Sequence, residues 1–163
     1  MSKTVVIVAA LDTKGQEAKL IRDFVDAQGV TPLVVDVGVL DQPSIPADVS
    51  RAEVAQAGGD DLAALAAARD KARAMEVMPR GAAAVAARLH AEGRLDGIIG
   101  IGGSAGTAIA TSAMRALPVG VPKLVVSTVA AGDTRPYVGT KDVTMMYSVC
   151  LLYTSDAADD LTR

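Results

Sequence analysis

The stretch IIGIGGSAGT, residues 98–107, decides the fold class of this chain. A short apolar run ends in clustered glycines, and Ser104 and Thr107 then open an alanine-rich helical pattern. In that order a buried parallel strand delivers the chain to a helix N-terminus, where the first N–H groups lack intrahelical partners and favour an anion. Glycines let the backbone approach such an anion closely. No Lys-Ser or Lys-Thr follows the last glycine, so the loop is not a Walker loop. The spacing of Gly100, Gly102 and Gly103 also departs from the dinucleotide fingerprint. Two readings stay open on these residues: an anion or nucleotide site on Gly102, Gly103, Ser104, Gly106 and Thr107, or a tight packed turn.

Outward from this loop the chain alternates. Residues 5–10 and 33–37 are short apolar runs, and 97–101, 124–128 and 143–148 supply three more strand patterns. Residues 14–28 carry Ala18, Ile21, Phe24 and Val25 at helical spacing, with Gly29 as the C-terminal stop. Ser50 and Glu53 form a capping box opening a short helix through Ala57; Gly58 and Gly59 break it, and Asp60 or Asp61 caps the next. The helical region 62–92 is expected to be interrupted near Pro79-Arg80-Gly81. Residues 105–116 read as a further helix, and Met145, Met146 and Tyr147 as core. The loop 38–48, with Pro43 and Pro46, is long enough to suggest a functional segment or a lid. Strands alternating with helices predict an α/β fold: a Rossmann-like parallel sheet with helices on both faces and right-handed crossovers.

Half of the residues are hydrophobic, yet only one is Phe and none is Trp, so the core is aliphatic. A formal net charge of −3 without a basic stripe argues against nucleic acid as a general ligand. No apolar run approaches the roughly 18 residues of a membrane span, and no leader pattern opens the chain, so a cytoplasmic protein without membrane association is expected. Residues 150–160, CLLYTSDAADD, match the translation of a transposon-type sequencing adapter. The codons TGT CTC TTA TAC ACA TCT GAC GCT GCC GAC give the first ten in order. On that reading residues 1–149 form the native domain, 150–163 do not belong to it, and Cys150, the single cysteine, carries no chemical meaning. A cut there is expected to expose a sheet edge and weaken the product.

Ligands of open α/β sheets bind beyond the carboxyl ends of the strands. Three polar clusters fall there. Asp12, Thr13 and Lys14 follow the first strand; Asp12 is a natural N-cap, whereas Lys14 opposes the helix dipole unless an anion sits nearby. The glycine loop follows the third strand. Ser127, Thr128, Gly132, Asp133 and Thr134 follow the fourth, where an Asx turn or a contact to a hydroxyl, ribose or metal are both open. Asp36, ending the second strand, suits a ribose hydroxyl or a turn. Arg135 and Lys141 are further phosphate candidates or plain surface charges, Asp142 is a natural partner for Lys141, and His90 suits a helix C-terminus. No nucleophile–base set or metal-spaced cluster is visible, and the residues identify no reaction.

The segments LDTKGQEAKLIRD (11–23), VVDVG (34–38), 78–128 and GDTRPYVGTKDVTMMYSV (132–149) together resemble a bacterial and plant family that includes the tobamovirus-resistance protein of tomato. The resemblance covers nearly the whole of residues 1–149. It implies a Rossmann-like domain binding ATP through the 12–14 turn, the 102–107 loop and the 127–134 loop. It also implies a following α/β domain and a homodimer of the full-length protein. The family pattern has Gly-Thr where this chain has Ala9-Ala10, Gly at Ala105 and Ser at Ala131. ATP as a bound ligand or effector is one expectation. A phosphotransferase or hydrolase is another, with Asp12 or Asp133 on Mg²⁺ and Lys14 on the transferred group. An interaction module in which the loop merely packs is the third.

Overall fold

The computed structural model describes residues 2–68 and 71–148. Five apolar segments form strands: β1 (Thr4–Ala9), β2 (Thr31–Asp36), β3 (Gly97–Gly102), β4 (Lys123–Ser127) and β5 (Thr144–Tyr147). All pair in parallel in the order β2-β1-β3-β4-β5. The helices are α1 (Leu11–Ala27), α2 (Arg51–Ala57), α3 (Leu62–Ala68), α4 (Lys71–Ala91), α5 (Ser104–Arg115) and the single turn α6 (Arg135–Val138). The fold is therefore the expected α/β class. Period-2 alternation divides the strand side chains between two cores. Val6, Val8, Leu33, Val35, Ile98 and Val125 face α2, α4 and α5. Ile7, Ala9, Val34 and Ile101 face α1 and Ile45.

Local signals fixed several boundaries. Ser50 Oγ accepts from the Glu53 amide while the Glu53 carboxylate accepts from the Ser50 amide, so the capping box forms and α2 ends at Ala57. At the end of α1 the Gly29 amide donates to Asp26 and the Val30 amide to Val25, with Gly29 at φ 73°, a Schellman stop. Asp61 Oδ1 caps α3 through the Ala64 amide.

Three expectations are corrected. The helix α4 passes through Pro79-Arg80-Gly81 without interruption, with Pro79 in its interior. Gly81 is there for contact: a Cβ would overlap the Val54 carbonyl oxygen, and one on Gly58 would overlap Val77. The close crossing of α2 and α4 thus outweighs the cost of the proline. Phe24 projects from α1 with 65% exposure rather than joining the core, since Ala18 and Val25 occupy the buried stripe. Met145 packs partly against the core as expected, whereas Met146 and Tyr147 are exposed on β5, the edge strand among the described residues. The loop after β2, read as a functional segment or a lid, is tied down at several points: Ile45 is buried, the Ser44 amide and hydroxyl both donate to the Leu11 carbonyl at 3.0 Å, and the Leu40 amide donates to Asp12. Val149 and the stretch 150–163 lie outside the described residues. No helix among the described residues is long and apolar enough to cross a membrane.

Candidate functional site

The chain leaves β1 in one direction and β3 in the other, so a crevice opens between their carboxyl ends, the usual ligand position in such sheets. A cavity of about 510 Å³ occupies it. Two helices begin at its wall. Ala10 is the N-cap of α1 and Gly103 the N-cap of α5, and neither makes a side-chain cap hydrogen bond. The N-terminal partial charges of both helices therefore meet one space.

Asp12, Thr13 and Lys14 line the cavity from α1. Asp12 sits in the first turn instead of at the cap, and its carboxylate leans over Gly38, where a Cβ would stand 2.8 Å from it. Lys14 has non-helical backbone angles (φ −124°, ψ 21°), which set the first turn off from the rest of α1. Its ammonium lies 3.3 Å from Glu17 Oε1, with the side chain largely buried.

Gly102, Gly103, Ser104 and Gly106 line the opposite wall. Packing explains the first of these glycines: a Cβ on Gly102 would stand 2.7 Å from the Gly106 Cα. It does not explain Gly103. Its backbone is extended (φ −79°, ψ −154°), open to any residue, and the nearest atom to a Cβ there would be Thr128 Oγ1 at 3.8 Å. The space in front of this amide is open.

The other expected residues stand behind or beside the cavity. Thr107 and Ser127 are fully buried with their hydroxyls 2.6 Å apart. The Val129 amide donates to Ser127, and Thr107 donates to the Gly102 carbonyl, so the pair braces the glycine loop from behind. Thr128 reaches the loop beside Gly103. Asp133 is held by Arg135, whose Nε and amide donate to Oδ1 and whose second guanidinium nitrogen donates to Oδ2; these bonds lower its pKa. Gly132 and Thr134 flank that pair without lining the cavity. Lys141 donates to the Leu117 carbonyl at the end of α5, and Asp142 pairs with Lys123 instead of Lys141. His90 Nδ1 lies 3.3 Å from the Leu95 carbonyl, near the end of α4.

Asp36 is 1% exposed, and its Oδ1 accepts from the Leu11 and Gly38 amides at 3.0 and 2.9 Å. It thus caps α1 from a distant strand. Burial, partly offset by these two bonds, raises its pKa. Asp36→Ala is expected to cost about 2–4 kcal/mol, because two amides lose their acceptor. Asp36→Asn keeps an acceptor and removes the buried charge, so its cost is smaller. A raised pKa means that the wild-type contribution is fully present below the unfolded value of 3.8 and lost as pH rises through the folded value. The deficit of Asp36→Asn, followed by urea unfolding, should accordingly shrink from pH 4 to pH 7; a constant deficit refutes the assignment.

The far wall went unread in the sequence. Leu65 from α3, Ala74, Met75 and Met78 from α4, and Val39 and Leu40 after β2 form it. Their helical periodicity was visible, but which side faces the crevice depends on the α2–α4 crossing. No group of three or more His, Cys, Asp or Glu able to hold a metal exists among the described residues. Among the described residues Asp12 is the single carboxylate on the cavity wall, enough to share a cation with bound phosphates but not to hold one alone.

Known proteins place the chain in a family. It is 50% identical over 91% of its length to a UPF0261 protein of Clostridium tetani, and 43% identical over 90% to one of Mesorhizobium japonicum. It spans 37% and 36% of those two proteins, a little over a third. The ToMV susceptible protein tm-1(GCR26) of Solanum lycopersicum is 40% identical over 48% of the chain, which covers 10% of that protein. Residues 3–156 match the model of the Uncharacterised protein family (UPF0261) N-terminal domain, and the chain belongs to that family.

Proposed function

We propose that this domain binds ATP in the crevice between β1 and β3. The phosphates lie across the Gly103 amide and the start of α5, with Lys14 and Thr13 approaching from α1, and Asp12 shares Mg²⁺ with the phosphate oxygens. Gly103 carries this reading, since it is the loop glycine that neither backbone angle nor internal packing requires, and it fronts an open cavity. Thr107 and Ser127 act behind the loop by fixing the Gly102 carbonyl, so they position the phosphate cradle without touching the ligand. Cytoplasmic placement follows from the same reading, since the nucleotide pool lies there.

The reading is tested by calorimetric titration of the full chain with ATP, with and without Mg²⁺. Saturable binding is expected, weakened about tenfold in Lys14→Ala, the loss of one charge-assisted contact. Absence of saturation up to millimolar ATP refutes it.

A further inference from the structure

The cavity has two chemically different halves. Toward the strands stand the glycine loop and the first turn of α1. Among the described residues the opposite half is walled by Val39, Leu40, Leu65, Ala74, Met75 and Met78, none of which carries a strong hydrogen-bonding side chain. Four amides beside it are engaged as well. The Leu65 amide donates to the Asp61 carbonyl, Leu40 to Asp12, Gly38 to Asp36 and Val37 to the Ala9 carbonyl. Ala74, Met75 and Met78 lie within α4. One acceptor is released by covalent structure: the helical donor for the Met75 carbonyl would be the amide of residue 79, which is proline.

We propose that this half receives a nucleobase by contact and shape alone, so that the site takes purine nucleoside triphosphates without telling adenine from guanine. The proposal rests on the phosphate reading above. Pockets that hydrogen-bond a ligand edge reject analogues lacking it by about 10⁴-fold or more, whereas apolar pockets discriminate weakly. Methionine thioethers add adaptable contacts to an aromatic ring. One neutral hydrogen bond shifts affinity by roughly tenfold at most, which sets the limit for a site that reads no base edge.

The test is calorimetric titration of the full chain with ATP, GTP and inorganic tripolyphosphate under identical Mg²⁺. ATP and GTP are expected within about tenfold of each other and both about tenfold or more tighter than tripolyphosphate. Leu40→Ala, at a side chain 70% exposed and so dispensable to the fold, should weaken both nucleotides alike and leave tripolyphosphate unchanged. A preference between ATP and GTP beyond about tenfold overturns the proposal by showing that a base edge is read. Equal affinity for all three overturns it by placing the base outside the cavity. In both of these cases the phosphate reading stands. Failure of all three to bind overturns that reading and this inference with it.

Discussion

Gly103→Asp is expected to abolish ATP binding while leaving the domain as stable as the wild type or slightly more so. The two effects have opposite signs for one physical reason. Gly103 is the N-cap of α5, and that cap makes no side-chain hydrogen bond. Aspartate is among the best N-cap residues, better than glycine by a few tenths of a kcal/mol, and its charge suits the helix N-terminus. Its Cβ would have 3.8 Å of clearance to Thr128 Oγ1, so no strain offsets the gain. The same carboxylate would take up the amides and the space proposed for phosphate and repel the ligand's charge. We expect affinity to fall by about a hundredfold or more, the equivalent of about 2.7 kcal/mol. Thermal melting and calorimetry on one sample read both quantities.

The neighbouring Gly102→Ala separates packing from binding. Its methyl would stand 2.7 Å from the Gly106 Cα, a backbone atom that cannot move aside. Overpacking of that kind costs about 1–3 kcal/mol, so this variant should melt lower. Should Gly103→Asp destabilise as Gly102→Ala does, the glycine at 103 serves packing and the loop is only a tight turn. Retained ATP affinity in a stable Gly103→Asp protein moves the phosphates elsewhere.

Much of this architecture was legible because its causes are local. The Ser50–Glu53 box and the Gly29 stop satisfy helix ends within a few residues, and each appears where the spacing placed it. Strand positions followed from apolar runs, and the strand-to-helix order fixed a parallel sheet. What escaped depends on partners far away in sequence. Pro79 looks like a helix breaker until the α2–α4 contact through Gly58 and Gly81 is known. Asp36 reads as a ribose contact or a turn at a strand end; the Gly38 amide bond is that turn, whereas the burial and the Leu11 amide arise only when β1 and β2 pair. Phe24 sits on the helical stripe by spacing, yet the sheet contacts α1 through smaller residues. The site divides in the same way. Gly102 to Gly106 and residues 12–14 announced themselves by residue type, whereas the apolar wall has no type that distinguishes it from core.

The same long-range logic yields a second large effect, at a residue that no motif singles out. Lys123 opens β4 with its side chain fully buried. Its ammonium donates to the Pro118 carbonyl, the Val121 carbonyl and Asp142 Oδ1, each at 2.8 Å, so all three protons have partners. Asp142 also accepts from the Gly120 amide, which ties the turn before β4 to the segment leading into β5. Lys123→Met fills a similar volume but leaves two carbonyls without donors. We expect it to lower stability by about 2–4 kcal/mol on their account, a large part of the 5–15 kcal/mol typical of a domain.

The Asp142 share of the loss should be visible in its pH dependence. Lys123 and the Gly120 amide hold the Asp142 pKa down to about 2, against 3.8 in the unfolded chain. A depressed pKa gives a contribution present above pH 3.8 and lost as pH falls through about 2. The stability gap between wild type and Lys123→Met in urea should therefore narrow between pH 4 and pH 2. It should not close, because the lysine still serves the two carbonyls there. A gap independent of pH would mean that the carbonyls alone hold Lys123 in place. A gap near zero at every pH would mean that water replaces all three contacts, and that the β4–β5 edge does not depend on this buried charge.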